Sequence, residues 1–203
     1  MNIISLLKKL PIDVGQAERK HDSAGKVIAF SFVEDGRGKR ALDIGCRDGY
    51  WSERLKGKGY VVSALDLEPQ YESALKHNVE NGLPFEDKSF DLVWCTEVIE
   101  HLHEPEYLLS EIERVLKLDG RAVLTTPNSG WWFYHIVKLW GWTPQKLQNP
   151  DHKQFFREQD VRRMAEGYDV LGYFPYAVRF FPIRSLVGLL SPTFVLIYRK
   201  AIH

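Results

Sequence analysis

A chain of 203 residues carrying 27 Lys plus Arg against 27 Asp plus Glu is long enough for one domain with a sizeable core and cramped for two. Balanced charge supplies no global field to draw in nucleic acid or an anionic membrane, so no polynucleotide partner is expected. Cys46 and Cys95 are too few for a disulfide framework or a four-cysteine zinc site, nothing at the start resembles a cleaved signal peptide, and Lys138, Arg184 and several prolines break the apolar runs before the roughly 18 residues of a transmembrane segment, so a cytoplasmic setting is expected.

The first residues mix helical spacing, as in Ile3, Ile4, Leu7 and Leu10, with polar stretches, and Pro11 ends the first pattern. They read as an N-terminal helical flap over 1–35. From Arg40 onward short apolar runs (ALDIG, VVSALDL, FDLVWC, RAVLTT) alternate with helical ones, which predicts a parallel sheet with crossover helices. Within 105–117, Leu108, Leu109, Ile112, Val115 and Leu116 recur at helical spacing. Pro105 suits a first helical position and Gly120 follows the end, so this segment is predicted to be a crossover helix. After Asn128 comes an insertion over 129–157. It holds WWFYHIVKLWGW, with four of the chain's six tryptophans between Trp131 and Trp142, and a polar loop with Pro144 and Pro150. A helix is predicted from about Glu158 to Glu166. Two β-rich runs, DVLGYFPYAVRFF and FVLIYRKA, close the chain as an expected antiparallel pair, and 1–203 reads as a single α/β domain.

The first strand runs into ALDIGCRDGYWSERL, where Gly45 and Gly49 mark a turn before a helix. Small residues there let backbone approach a ligand, and the helix offers free N–H groups at the carboxyl edge of the sheet. The spacing does not fit the dinucleotide fingerprint G-x-G-x-x-G, because Arg47 occupies the second glycine position and Tyr50 the third. The second strand ends in ALDLEP. This puts Asp66 about twenty residues beyond the turn, where an acid can accept from two ribose hydroxyls; alone, it is equally a turn or N-cap residue. NVENGLPFEDKSFDLVWC, with Asp87 and Asp91, reads as a turn feeding the next strand.

With these residues in place the chain resembles the class I S-adenosylmethionine-dependent methyltransferases, in the small-molecule branch that includes ubiquinone-biosynthesis O-methyltransferases and methionine-biosynthesis W-type proteins. The resemblance spans roughly Ala41 to Asn128, with weaker echoes in HKQFFREQDV and FVLIYRK. It implies a Rossmann-like, doubly wound, mostly parallel seven-stranded sheet with the last strand antiparallel. It also implies that Asp43, Gly45, Cys46 and Gly49 hold the methionine portion of S-adenosylmethionine, that Asp66 holds the ribose and that Leu67 packs on adenine. Asn78 and Val79 fall near adenine N6, and Cys95 and Thr96 line the methionine side. Two positions depart from the family pattern: Arg47 stands where a glycine is common, and Asn78 where an aspartate is.

Methyl transfer from a sulfonium is an in-line displacement that rests on orientation and exclusion of water. A hydroxyl acceptor calls for a base, and histidine is best matched near neutral pH. His101 and His103 in EVIEHLHEP are the candidates, with Glu100 placed to orient an imidazole; His101 is otherwise a structural residue of a strand-to-helix turn. Glu97, Glu100, His101, His103 and Glu104 also make a tempting metal cluster. The i, i+2 histidine spacing separates the rings on a helix and no third ligand is apparent, so no metal is expected. The aromatic stretch reads as a lid walling a small, apolar or aromatic acceptor, with Trp131, Trp132, Tyr134, His135 and His152 as substrate contacts. Ordinary core and peripheral membrane contact are its other readings. Two rival functions stand beside methyl transfer. One is an oxidoreductase, suggested by the Y-x-x-x-K pair Tyr134 and Lys138 but opposed by the glycine spacing; the other is a non-catalytic binding module on the same fold.

Overall fold

The structure, a computed structural model, describes residues 21–148, 151–174 and 182–201. Its elements in chain order are α1 (Ala24–Ser31), β1 (Arg40–Ile44), α2 (Tyr50–Gly57), β2 (Val61–Asp66), β3 (Leu75–Lys76), β4 (Phe90–Thr96), α3 (Pro105–Val115), β5 (Leu116–Pro127), α4 (Trp132–Val137), α5 (Pro144–Leu147), α6 (Glu158–Met164), β6 (Asp169–Tyr173), β7 (Pro182–Ile183), α7 (Val187–Leu190) and β8 (Thr193–Arg199). Single 3₁₀ turns lie at Val79–Asn81, Ile99–His101 and Lys138–Trp140.

The strands form one sheet in the order β3-β2-β1-β4-β5-β8-β6-β7. Strands β1 to β5 pair in parallel, while β8 runs antiparallel to both β5 and β6. The order reverses between β1 and β4, which places a crevice outside the carboxyl ends of these two strands. The expected alternation, crossover helix and closing antiparallel pair are all present. The sheet has eight strands where seven are expected: Pro182 and Ile183 add a short antiparallel edge against Gly172 and Tyr173.

Alternation along the strands builds a core on each face of the sheet. Leu42, Ile44, Val93 and Cys95 point to one side, where Leu108, Leu109, Ile112 and Val115 of α3 cover them. Ala41, Leu92 and Trp94 point to the other, against Ile28 and Ala29 of α1 and Trp51 and Leu55 of α2. A tight aromatic group fills that second core, with the Trp51 and Trp94 rings 5.0 Å apart and Phe30 5.1 Å from Trp51. The described part of the expected flap is therefore a helix packed on the sheet, started by a Ser23 hydroxyl that accepts from the Lys26 N–H. Residues 1–20 lie outside the described residues.

Helix α3 stops at Val115 and not Lys117, because Leu116 swings to ψ 134° and pairs with Phe90 as the first residue of β5. Helix α6 ends at Met164, two residues short of the predicted Glu166. The insertion is irregular but ordered into short helices. Trp131, Tyr134 and Val137 form a small buried cluster of their own, flanked by Trp132, Phe133, Trp142 and Leu147.

Candidate functional site

Three residues within five at the end of β1 hold left-handed backbone: Gly45 at φ 75°, Arg47 at φ 48° and Gly49 at φ 81°. Such a path folds the chain into a tight corner, with the Gly49 N–H donating to the Cys46 carbonyl at 2.8 Å and the Gly45 N–H to the Leu65 carbonyl at 2.9 Å. A Cβ on Gly45 would sit 2.4 Å from a Val98 methyl, and one on Gly49 2.4 Å from the Tyr71 ring. Both positions thus require glycine on two grounds. Arg47 accepts the same backbone at a steric cost of about 1 kcal/mol, which accounts for the glycine common there in the resembled family. Its side chain lies in solvent.

Asp66 closes the corner from β2. One carboxylate oxygen accepts from the Arg47 N–H at 2.8 Å and the other from the Glu68 N–H at 2.9 Å. Each oxygen keeps a further lone-pair direction for a ligand hydroxyl. Leu67 beside it is 59% exposed, an apolar surface at the crevice. Across from it Asn78 caps the 3₁₀ turn, its side-chain oxygen accepting from the Glu80 N–H at 3.0 Å, while Val79 is buried in the core. The His77 N–H donates to the Asp66 carbonyl and ties this segment to β2.

Beneath the corner two carboxyls, Asp43 and Asp66, act on one another, with Lys26 as the opposing cation. Asp43 is buried and accepts the Ser52 hydroxyl at 2.5 Å. Burial, and then the charge of Asp66, push its carboxyl up to about 7 against that hydrogen bond. Burial together with Asp43 and Asp66 pushes the Cys46 thiol up to about 12. The corner is thus a negative field that favours a cationic ligand and opposes a pyrophosphate. Cys95 is wholly buried on the core side of β4, and burial raises its thiol well above the usual range; Thr96 ends that strand, also buried.

The histidines separate. His103 lies at the surface, where its ring Nδ1 and its N–H both meet Glu80, at 2.8 and 2.9 Å. These contacts hold the Glu80 carboxyl below the usual range. His101 instead faces the insertion, with Nδ1 3.2 Å from the Asp151 carbonyl. A carbonyl only accepts, so Nδ1 is the donor in this contact and Nε2 is the ring nitrogen left for another partner. Its ring meets that of His152 edge-on at 4.8 Å between centroids. His152 is buried, and burial followed by the neighbouring His101 brings it down to about 4, so it is neutral at physiological pH.

Glu100 completes this group. Its side chain is buried, with one oxygen accepting from the Thr126 hydroxyl at 3.1 Å and the other without a hydrogen-bond partner among the described residues. Burial and the nearby Glu97 raise its carboxyl well above the usual carboxylate range. One ligand atom each from Glu100, His101 and His152 lies within 4.8 Å of the others. His101 and His103 are separated as their spacing predicts, and the third member of this group, His152, comes from outside the run in which no third ligand is apparent. His152 arrives from the far end of the insertion, because the Lys153 and Gln154 N–H groups both donate to the Glu100 carbonyl at 2.9 Å. Sequence reasoning placed His152 with the substrate contacts and missed this grouping, for which no local spacing gives a signal.

Among the expected acceptor contacts, Trp131 is fully buried as the floor of its cluster and Tyr134 is buried beside it, while Trp132 is half-buried and His135 exposed. The Tyr134 hydroxyl accepts from Gln148 Nε2 at 3.3 Å, and Gln148 Oε1 lies 3.4 Å from His152 Nδ1. The aromatic cluster and the histidine pair are thus joined through one buried amide.

A family model described as "Methyltransferase domain" matches residues 16–170. The ubiquinone biosynthesis O-methyltransferase of Idiomarina loihiensis is 28% identical over 163 residues, covering 69% of this chain and 66% of that protein. Coverage of the Haemophilus ducreyi protein of the same name is 51%, so the chain spans between about half and two thirds of these curated relatives. Among solved structures, an S-adenosylmethionine-dependent methyltransferase from Archaeoglobus fulgidus superposes with TM-score 0.64 at 19% identity, over 87% of this chain and 93% of that one. The 1,6-didemethyltoxoflavin-N1-methyltransferase of Burkholderia thailandensis, solved with S-adenosylhomocysteine bound, gives TM-score 0.56 at 18% identity over 88% and 77%. At such identities the structural likeness establishes the doubly wound fold.

Proposed function

The chain belongs to the methyltransferase-domain family, and from that premise we propose that it moves the methyl group of S-adenosylmethionine onto a hydroxyl of a small aromatic or apolar acceptor. The observation that carries this reading is the left-handed glycine corner closed by the Asp66 carboxylate, with the Asp43 carboxyl buried beneath it, suited to a sulfonium nucleoside and hostile to the pyrophosphate of a dinucleotide. When bound, S-adenosylmethionine supplies a methyl group already activated on sulfur.

The chain's own residues do the rest. Asp66 accepts the ribose hydroxyls through its free lone-pair directions, and Leu67 offers its exposed side chain to adenine, with Asn78 and Val79 at the purine edge. Backbone from Gly45 to Gly49 lies against the methionine portion, with Asp43 and Cys46 beneath it and the end of β4, at Cys95 and Thr96, along its side. His101 Nε2 would take the proton of the acceptor hydroxyl, and S-adenosylmethionine would supply the methyl group and leave as the neutral thioether. Of the two candidate histidines His101 has this role, and His103 is held in its surface contact with Glu80. Trp132 and the insertion exclude water. The names of the curated relatives support an oxygen acceptor.

Incubation with methyl-labelled S-adenosylmethionine and a panel of phenols and extracted metabolites tests the proposal, with labelled product expected from the wild type and not from His101→Ala. Binding of S-adenosylmethionine without product from any acceptor would assign the chain to a non-catalytic module, and binding of NADH in its place to an oxidoreductase. The buried Glu100 oxygen that has no hydrogen-bond partner among the described residues, set beside the two imidazoles, favours a second reading, in which the trio seats a divalent cation. Turnover that survives chelation assigns the trio to proton transfer; turnover lost and restored by Mn²⁺ assigns it to the cation.

A further inference from the structure

We propose that Tyr71 is a positioning residue that fastens the connection between β2 and β3 to the glycine corner and so sets the width of the nucleoside crevice, a role that rests on the reading of this corner as the S-adenosylmethionine site. Strands β2 and β3 are parallel, and parallel neighbours are ordinarily joined through a dozen or more residues, most often a helix packed on the sheet. Here the eight residues 67–74 make the connection, and none of them is helical. With no helix face to bury, the segment needs another hold. It begins with Leu67, the exposed side chain offered to adenine.

Three contacts supply that hold. The Glu68 N–H donates to Asp66 Oδ1 at 2.9 Å, and the Gln70 N–H to the Arg47 carbonyl at 2.8 Å. The Tyr71 hydroxyl then reaches helix α2, donating to Glu53 Oε1 at 2.5 Å and accepting from Lys56 Nζ at 2.6 Å, while Lys56 closes the triangle on Glu53 at 2.8 Å. Lys56 and then Tyr71 hold the Glu53 carboxyl below its usual range, and Glu53 and then Tyr71 hold the Lys56 ammonium above its own, so both charges persist across neutral pH. The Tyr71 ring meanwhile fills the space over Gly49. Arg47 is thereby gripped on both sides of its left-handed backbone, its N–H donating to Asp66 and its carbonyl accepting from Gln70. Corner, Asp66 and Leu67 share one fastening, and its outermost member is a single phenol hydroxyl. The Glu53 and Lys56 side chains are 60 and 41% exposed, so removing the hydroxyl strands no buried charge and costs the fold little. What it releases is the position of Leu67 relative to the corner.

Calorimetric titration of the full chain with S-adenosylhomocysteine, with thermal melts on the same samples, tests the proposal. Tyr71→Phe keeps the ring on Gly49 and removes only the hydroxyl. It is expected to weaken S-adenosylhomocysteine about fivefold, the ratio for about 1 kcal/mol, with the melting temperature unchanged. Glu53→Gln and Lys56→Met are expected to give losses of the same size. Combining either with Tyr71→Phe should add nothing further, since each releases the same fastening. The proposal is overturned by equal affinity in the wild type and Tyr71→Phe, by losses that add in the combined variants, or by a lower melting temperature with affinity intact, which would make the contact structural only. A wild type that binds no S-adenosylhomocysteine refutes the cofactor placement and this role with it, whereas binding by the wild type that Tyr71→Phe leaves unchanged refutes the role alone.

Discussion

Replacing Asp43 by asparagine tests the field at the glycine corner most directly. The side chain is 1% exposed, and burial followed by the charge of Asp66 lifts its carboxyl from an ordinary 3.8 up to about 7. A gap of about three decades in proton affinity corresponds to roughly 4 kcal/mol. The folded chain holds this proton more tightly than the unfolded one. Its contribution to stability is therefore complete below the ordinary value and is lost as pH rises through about 7. Asparagine keeps an acceptor for the Ser52 hydroxyl but does not titrate. In urea titrations across that window, the wild type should lose up to about 4 kcal/mol relative to Asp43→Asn as pH rises, and the difference should level off above it. A cationic ligand reverses the penalty, since it favours the ionised carboxyl. Affinity for S-adenosylmethionine should therefore rise with pH in the wild type and stay flat in the variant. A stability difference independent of pH would refute the burial of an ionisable carboxyl at this corner, and with it the argument for a cationic ligand.

The neighbouring residues give sharper local outcomes. Asp66→Ala should weaken S-adenosylmethionine at least tenfold in a calorimetric titration, the value of one or two charge-assisted hydrogen bonds; unchanged affinity removes Asp66 from the ribose. Arg47→Gly relieves the φ 48° backbone and should raise stability by about 1 kcal/mol in urea, whereas a loss would mean that the arginine side chain holds the corner. Trp131 is unsuited to testing the lid, because emptying so buried a site costs about 3–5 kcal/mol of fold. Trp132→Ala should instead slow methyl transfer while leaving S-adenosylhomocysteine affinity intact, and equal turnover would reject the acceptor wall.

What the sequence disclosed follows the reach of its physics. The βαβ unit from Arg40 to Asp66 is set by short-range rules: alternation fixes the strands, two left-handed glycines fix the corner, and the crossover length fixes where the next carboxylate emerges. These rules alone place Asp66 against the corner, where its carboxylate accepts from the Arg47 N–H. The eighth strand could not be read, since Pro182 and Ile183 pair through backbone in a two-residue ladder that leaves no periodicity. The end of α3 falls two residues before the one its periodicity predicts for a related reason: Leu116 suits the helical stripe as well as the strand, and its pairing with Phe90 decides between them.

The histidine pair lies beyond local rules altogether. His101 and Asp151 are fifty residues apart in the chain, and their meeting depends on two N–H groups of the returning segment reaching the Glu100 carbonyl. That same return places Gln148 between the Tyr134 hydroxyl and His152, so the aromatic insertion and the histidine pair share one set of contacts. A change in the insertion that loosens the Lys153 and Gln154 contacts would move His152 and Asp151 away from His101 and free the Nδ1 proton that fixes its tautomer. If His101 is the base and the insertion the acceptor wall, as proposed, both are held by this one set of contacts.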